Sequence, residues 1–207
     1  MAGGFPLRAE PTYPEWVPGD MSTTELHRRW RASALPKLRG IVLDLGAGSG
    51  IAADHLAPGV DWIALEPRRR VDPALRVRLA RRSSRLLTAS AEDIPLESAS
   101  VDAVIASTVL CSVRDPARTL DEVRRVLRPG GALVFFEHVA ADRGTWTSWI
   151  QSFYAPLSRL IDHGCDPHRD TAASIQAAGF ASVEVERMRA PGVLGTVEPL
   201  IAGSAIA

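Results

Sequence analysis

The stretch Val42-Leu43-Asp44-Leu45-Gly46-Ala47-Gly48-Ser49-Gly50 decides how this chain is read. Residues of strand type run through Leu45, a glycine-rich turn follows at once, and Ile51 to Leu56 reads as the start of a helix. A strand, a tight turn and a helix N-terminus together bring backbone N–H groups close to a bound ligand. The spacing carries the information. A dinucleotide fingerprint needs a third glycine three residues after the second, and Ile51 occupies that position. The pattern is instead Gly-x-Gly-x-Gly, with an acid, Asp44, two residues before the first glycine.

Further along, Val60-Asp61-Trp62-Ile63-Ala64-Leu65 has the composition of a buried strand, closed by Glu66-Pro67. A carboxylate at that point can accept both hydroxyls of a ribose; the plainer reading is a surface acid closing a strand. Two more segments follow, Ala91-Glu92-Asp93-Ile94-Pro95-Leu96 and the strand Val101-Asp102-Ala103-Val104-Ile105-Ala106-Ser107. In this order the four segments resemble the class I S-adenosylmethionine (SAM) methyltransferases, methyltransferase type 11 group. The resemblance implies SAM as cofactor and S-adenosylhomocysteine as product. It also implies a Rossmann-like, doubly wound, seven-stranded α/β sheet, mostly parallel with a C-terminal antiparallel hairpin strand. Asp44, Gly46, Ala47, Gly48 and Gly50 would then line the cofactor, with Glu66 and Pro67 at its ribose. Ala91 and Glu92 would border the adenine, and Ser107 and Thr108 the methionine part.

The periodicity agrees with that architecture. Strands are expected at 41–45, 60–65, 85–89, 101–107 and 132–138, alternating with helices, which implies a parallel sheet covered on both faces. Ser22 and Glu25 stand at capping-box distance, and Leu26, Trp30 and Ala34 share one helical face. Asp115-Pro116 starts a helix with Leu120, Val123 and Leu127 on its apolar side, ended by Pro129-Gly130-Gly131. Phe180 to Arg187 and Val197 to Ile206 read as two strands, which the resemblance implies close the sheet edge as a hairpin. Residues 1–39 are expected to form an arm and helix serving as a lid, and 40–207 the methyltransferase domain, with 142–168 a substrate-side insertion. Tyr13, Trp16 and Trp30 either close over the cofactor or pack the arm onto the domain. Trp146, Trp149 and Phe153, at helical spacing within 145–161, are either core or the wall of an apolar pocket.

The 207 residues suffice for one core, and 46% of them are hydrophobic. With 24 basic and 24 acidic residues the formal charge is zero, which gives no reason to expect nucleic acid or an anionic membrane. Lys37 is the only lysine. Arg68, Arg69, Arg70, Arg76, Arg78, Arg81, Arg82 and Arg85 form a local basic cluster, expected as the solvated face of the helix that Asp72 and Pro73 begin. Prolines interrupt residues 1–20, and no apolar run approaches ~20 residues, so neither a signal peptide nor a spanning helix is expected. The two cysteines, Cys111 and Cys165, suggest no disulfide framework. A soluble, cytoplasmic monomer or homodimer follows as the expectation.

A narrower resemblance lies in the second half. Val109-Leu110-Cys111-Ser112-Val113, Glu122 through Gly131, Glu137-His138-Val139-Ala140, Thr145-Trp146, Gly164-Cys165 and Arg169-Asp170-Thr171 are similar to the membrane-associated alkyl-thiol S-methyltransferases. The match covers roughly residues 40 to 205. Two departures stand out: the N-terminal anchor of that group has no counterpart, and His163 replaces its acid before Gly-Cys. The resemblance implies S-methylation of a small apolar thiol or dithiol; Cys111 and His163 stand as residues beside the acceptor, Cys111 otherwise being a small buried hydrophobe. Free thiols ionise near about 8.5, so a base would help. His138 ends the fifth strand, where it either takes the thiol proton or holds a hydrogen bond behind the site. No paired-cysteine spacing supports a metal at His163, Cys165 and His168. The alternatives are an O- or N-methyltransferase of a natural product and a SAM-binding protein without turnover. An amino-methylating nucleic-acid enzyme would carry Asn/Asp-Pro-Pro-Tyr/Phe where Ala106-Ser107-Thr108-Val109 stands.

Overall fold

The computed structural model describes residues 21–68, 70–139, 169–192 and 196–207. Tyr13, Trp16, Trp146, Trp149, Phe153, His163, Cys165 and His168 lie outside the described residues. Five strands run parallel: β1 (Ile41–Leu45), β2 (Asp61–Leu65), β3 (Ser84–Leu87), β4 (Val101–Ser107) and β5 (Leu127–His138). β6 (Ser182–Pro191) and β7 (Val197–Ile206) pair antiparallel, and β7 also pairs antiparallel with β5. The sheet order is β3-β2-β1-β4-β5-β7-β6. This is the Rossmann-like sheet of seven strands that the family resemblance implies.

The apolar runs are continuous because the central strands are covered on both faces. One face packs Leu43, Leu45, Ile63, Leu65, Val104 and Phe135 against α3 (Pro116–Val126) and α4 (Thr171–Ala177). On the other, Val42, Trp62, Ala64, Ile105 and Phe136 meet α1 (Thr23–Ala34), the 3-10 turns Leu35–Lys37 and Ile51–His55, and α2 (Pro73–Leu79). The helix starts carry the expected chemistry. Ser22, Asp72, Asp115 and Asp170 each accept a backbone N–H from the first turn of the helix they precede. The N-terminal ends of β1 and β4 are tied together by Asp102, whose Oδ2 accepts the Ile41 N–H at 2.7 Å while Oδ1 meets Arg128 at 2.5 Å.

Four local expectations need correction. Ile51 to Leu56 forms a single 3-10 turn, Ile51–His55, because Pro58 disfavours helix at Ala57 and Leu56 is already extended with ψ 142°. The third strand is shorter than expected and ends at Leu87. Pro129-Gly130-Gly131 sits inside β5, where the register against β4 shifts between Val101 and Ala103. Arg76, Arg81 and Arg85 are exposed as a solvated face requires, but Arg78 and Arg82 are not. Arg78 binds Asp54 Oδ2 at 2.6 Å and the Ser49 carbonyl at 3.1 Å. Arg82 donates to the carbonyls of Ala53, Ala57 and Val60. Both arginines hold the segment after the glycine turn.

Phe135 and Phe136 are fully buried on opposite faces of β5. Replacing Phe135 by Ala is expected to cost about 3–5 kcal/mol of stability, read from the midpoint shift in urea at unchanged slope.

Candidate active site

All five parallel strands end at the same edge of the sheet, and the strand order reverses between β1 and β4. Ligands of such sheets bind at that reversal. The glycine turn stands there. Gly50 donates to the Ala47 carbonyl at 2.7 Å, and Ala47 donates to Leu65 at the end of β2 at 3.0 Å, so the turn is fastened to the neighbouring strand. Gly46 and Gly48 both adopt φ +56°. A Cβ on Gly46 would lie 2.7 Å from Val109 Cγ2, so its absence lets the chain after β4 approach. A Cβ on Gly48 would meet only the Gly46 carbonyl, at 3.7 Å. Among the described residues, the space above Gly48 is open.

Two acids border this turn. Asp44 is buried on β1, 2% exposed, and among the described residues its carboxylate has one hydrogen bond, from the Trp62 indole N–H at 3.3 Å. Burial raises it from its ordinary 3.8 to about 7, opposed by that bond and aided by Glu66. Between these values the folded chain holds a proton that the unfolded chain has lost, so stability falls as pH rises through this range. Glu66 closes β2, 6% exposed; its Oε2 accepts the Gly48 N–H at 3.0 Å and its Oε1 the Arg68 N–H at 3.3 Å. Pro67 follows it and is exposed.

Beyond β3, Ala91 is buried and Glu92 half-buried. Glu92 Oε1 accepts the N–H of Arg114 at 2.7 Å, and its carbonyl accepts from Arg118 at 2.8 Å. Glu122 takes the Ile94 N–H, and Arg125 donates to the Ile94 and Leu96 carbonyls. The 91–96 loop is thereby strapped to α3. Here the Glu92 side chain holds the loop.

At the end of β4, Thr108 has φ +56°, unusual for a residue with a branched side chain. Its N–H reaches the Phe136 carbonyl at 2.8 Å. The helical turn that follows is organised by a residue whose role the sequence did not reveal. Glu137, on β5 and 0% exposed, accepts the N–H groups of Val109 (2.9 Å), Leu110 (3.0 Å) and Cys111 (3.4 Å). Burial first, then the Cys111 thiol, push its carboxyl well above the ordinary range, against the pull of those donors. Arg169 grips the other end of the turn through the carbonyls of Leu110 and Val113. Cys111 itself is 2% exposed.

A second residue emerges only from the structure. His27 of α1 hydrogen-bonds Ser107 Oγ through Nε2 at 2.6 Å and stacks on Phe136, with ring centroids 4.4 Å apart and planes at 5°. Burial first, then the charges of Arg31 and His138, lower it to about 4, so it is neutral at physiological pH. No pattern distinguished it from a polar residue on an amphipathic helix. His138, half-buried at the end of β5, lies on the same side of the sheet as His27. Among the described residues, no group of three or more His, Cys, Asp or Glu side chains could hold a metal ion.

Sheet order, glycine turn and two acids at adjoining strand ends define a nucleoside-binding α/β enzyme, and comparison makes the class specific. The "Methyltransferase domain" family profile matches residues 43–135. Human thiol S-methyltransferase TMT1B is 36% identical over 170 residues, spanning 80% of this chain and 70% of that one. Human thiol S-methyltransferase TMT1A is 32% identical over 187 residues, spanning 88% and 77%. The chain belongs to the SAM-dependent methyltransferase family. Its fold is that of a possible histamine N-methyltransferase from Thermotoga maritima, with a TM-score of 0.63, 22% identity and coverage of 87% and 86%.

Truncating Glu137 to Ala strands three backbone donors and is expected to cost about 3 kcal/mol or more. Glu137→Gln keeps an acceptor oxygen and is expected to retain most of that stability, both read from chemical denaturation.

Proposed function

We propose that the chain transfers the methyl group of SAM to the sulfur of a small apolar thiol or dithiol. The observation that carries this reading is its 36% identity to a thiol S-methyltransferase across four-fifths of its length. The residues present fit the cofactor: open space above Gly48, a buried acid at each of two adjoining strand ends, and a single hydrogen bond on Asp44.

When bound, SAM supplies a methyl group on a sulfonium, which a thiolate displaces in line. The chain's own work is then mostly orientation. Glu66 would accept the ribose hydroxyls, and the backbone at Gly46, Ala47, Gly48 and Gly50 would line the amino-acid end. Asp44, ionised, would face the donor's cationic end. Pro67, Ala91 and Glu92 would border the nucleoside, and Ser107 and Thr108 the reacting methyl. His138 would accept the thiol proton on its imidazole while the acceptor sulfur gains the methyl and becomes a thioether. His27, neutral and hydrogen-bonded to Ser107, would hold α1 against the end of β4. The reading takes the protein as a cytoplasmic monomer or homodimer acting on a small molecule, without nucleic acid and without stable membrane insertion. Among the described residues no helix is long and apolar enough to cross a membrane.

The test is release of S-adenosylhomocysteine from SAM with a panel of thiols, catechols and amines. Turnover confined to thiols is expected; turnover only with hydroxyls or amines would discard the thiol acceptor and keep the cofactor site. His138→Ala is expected to lower thiol turnover roughly 10–100-fold at pH 7, with partial recovery towards pH 9 as the thiol ionises unaided. A flat loss at both pH values would remove it from proton transfer. Because ionised Asp44 would pair with a cation, binding below pH 7 releases its proton. The Kd for S-adenosylhomocysteine should therefore tighten about tenfold per unit from pH 5.5 to 7 and then level. Asp44→Asn should flatten that slope in titration calorimetry.

A further inference from the structure

Arg31 lies on α1 one turn beyond His27 and is only 9% exposed. Among the described residues it has no hydrogen bond or ion pair, and its Nε is buried without a partner. Its neighbours on the helix differ. Arg28 and Arg29 are exposed and both bind Glu25. Arg82, whose Nε is likewise orphaned, spends its terminal nitrogens on three carbonyls. Burying a guanidinium with neither acid nor carbonyl is strongly unfavourable. Arg31 also acts electrostatically on His27 and His55, disfavouring the charged form of each imidazole.

Those two histidines locate it. His27 binds Ser107 at the end of β4, and His55 closes the 3-10 turn that starts straight after Gly50. Arg31 therefore occupies the seam between the two elements that flank the glycine turn on this face of the sheet. The charge of the seam specifies its guest. Burial lowers both histidines from the ordinary imidazole range, which leaves the guanidinium as the standing cation of the three. One planar, two-pronged cation matches one planar monoanion. A phosphate dianion would be left half-neutralised.

We infer that Arg31 is the receptor for a carboxylate of a bound molecule, seated between α1 and the turn that follows Gly50. Two sources offer that group. One is the amino-acid end of the methyl donor, an assignment that rests on the methyl-transfer reading above. The other is a thiol acceptor bearing an acid.

Calorimetry on the wild type and Arg31→Met, with S-adenosylhomocysteine and with 5′-methylthioadenosine, separates them. The second ligand keeps the nucleoside and lacks the carboxylate. If the donor supplies the group, Arg31→Met weakens S-adenosylhomocysteine at least tenfold and changes 5′-methylthioadenosine less than twofold, with Arg31→Lys in between. If the acceptor supplies it, Arg31→Met lowers kcat/KM for 3-mercaptopropionate at least tenfold while propanethiol is unchanged. Unchanged discrimination in both arms overturns the inference and leaves methyl transfer standing. A wild type that binds neither nucleoside overturns both. Without ligand, Arg31→Met should melt no lower than the wild type, because it removes an unanswered buried charge; a drop of several degrees would make Arg31 a packing residue and overturn the inference.

Discussion

A carboxyl group at 0% exposure, next to Phe135 and Phe136 in the same strand, must be answered by donors, and Glu137 is answered by three consecutive backbone N–H groups. Much of the site's shape hangs on that arrangement. It turns the chain sharply at Thr108, starts the Val109–Val113 turn, and sets Val109 where it closes on Gly46. Arg169 holds the carbonyls at the far end, so the turn is fixed at both poles by polar side chains from segments remote in sequence. The glycine turn and the β4 turn are therefore not independent loops. Each is shaped by contact with the other across the reversal in strand order.

The same logic recurs around the edge. Arg78 and Arg82 support the segment after the glycine turn, and Glu92, Glu122 and Arg125 strap the 91–96 loop to α3. Each of these described loops is held by side chains bonding to backbone groups. Such bonds satisfy polar atoms that a loop would otherwise leave unpaired, and they limit its motion. The site is thus a set of fastened loops on a stiff sheet, as a reaction governed by orientation requires.

Much of this was legible from residue order. β1 spans the five residues expected, and the Ser22 cap and the Asp115-Pro116 start are where the pattern puts them. These signals are local, resting on period, caps and glycine. What escaped is long-range. Glu137 reads as a polar residue in a strand, because its partners lie 26 to 28 residues upstream. His27 reads as helix surface until Ser107, 80 residues away, is brought against it. Arg78 and Arg82 sit in an arginine-rich run whose composition hides which members turn inward. The 3-10 turn at Ile51–His55 was misjudged because the break at Leu56 depends on Pro58, beyond the apparent helix start.

The turn Leu35–Lys37 has a practical consequence. It precedes β1, at the edge of the sheet opposite the strand ends that carry the glycine turn, and Lys37 is exposed there. It is also the only lysine among 207 residues, the other side-chain cations being arginines. Guanidinium groups stay protonated and resist acylation at neutral pH, whereas an exposed lysine amine reacts. Amine-directed coupling to a bead or a dye therefore has a single side-chain target. It would tether the protein by its back, with the candidate site facing outward.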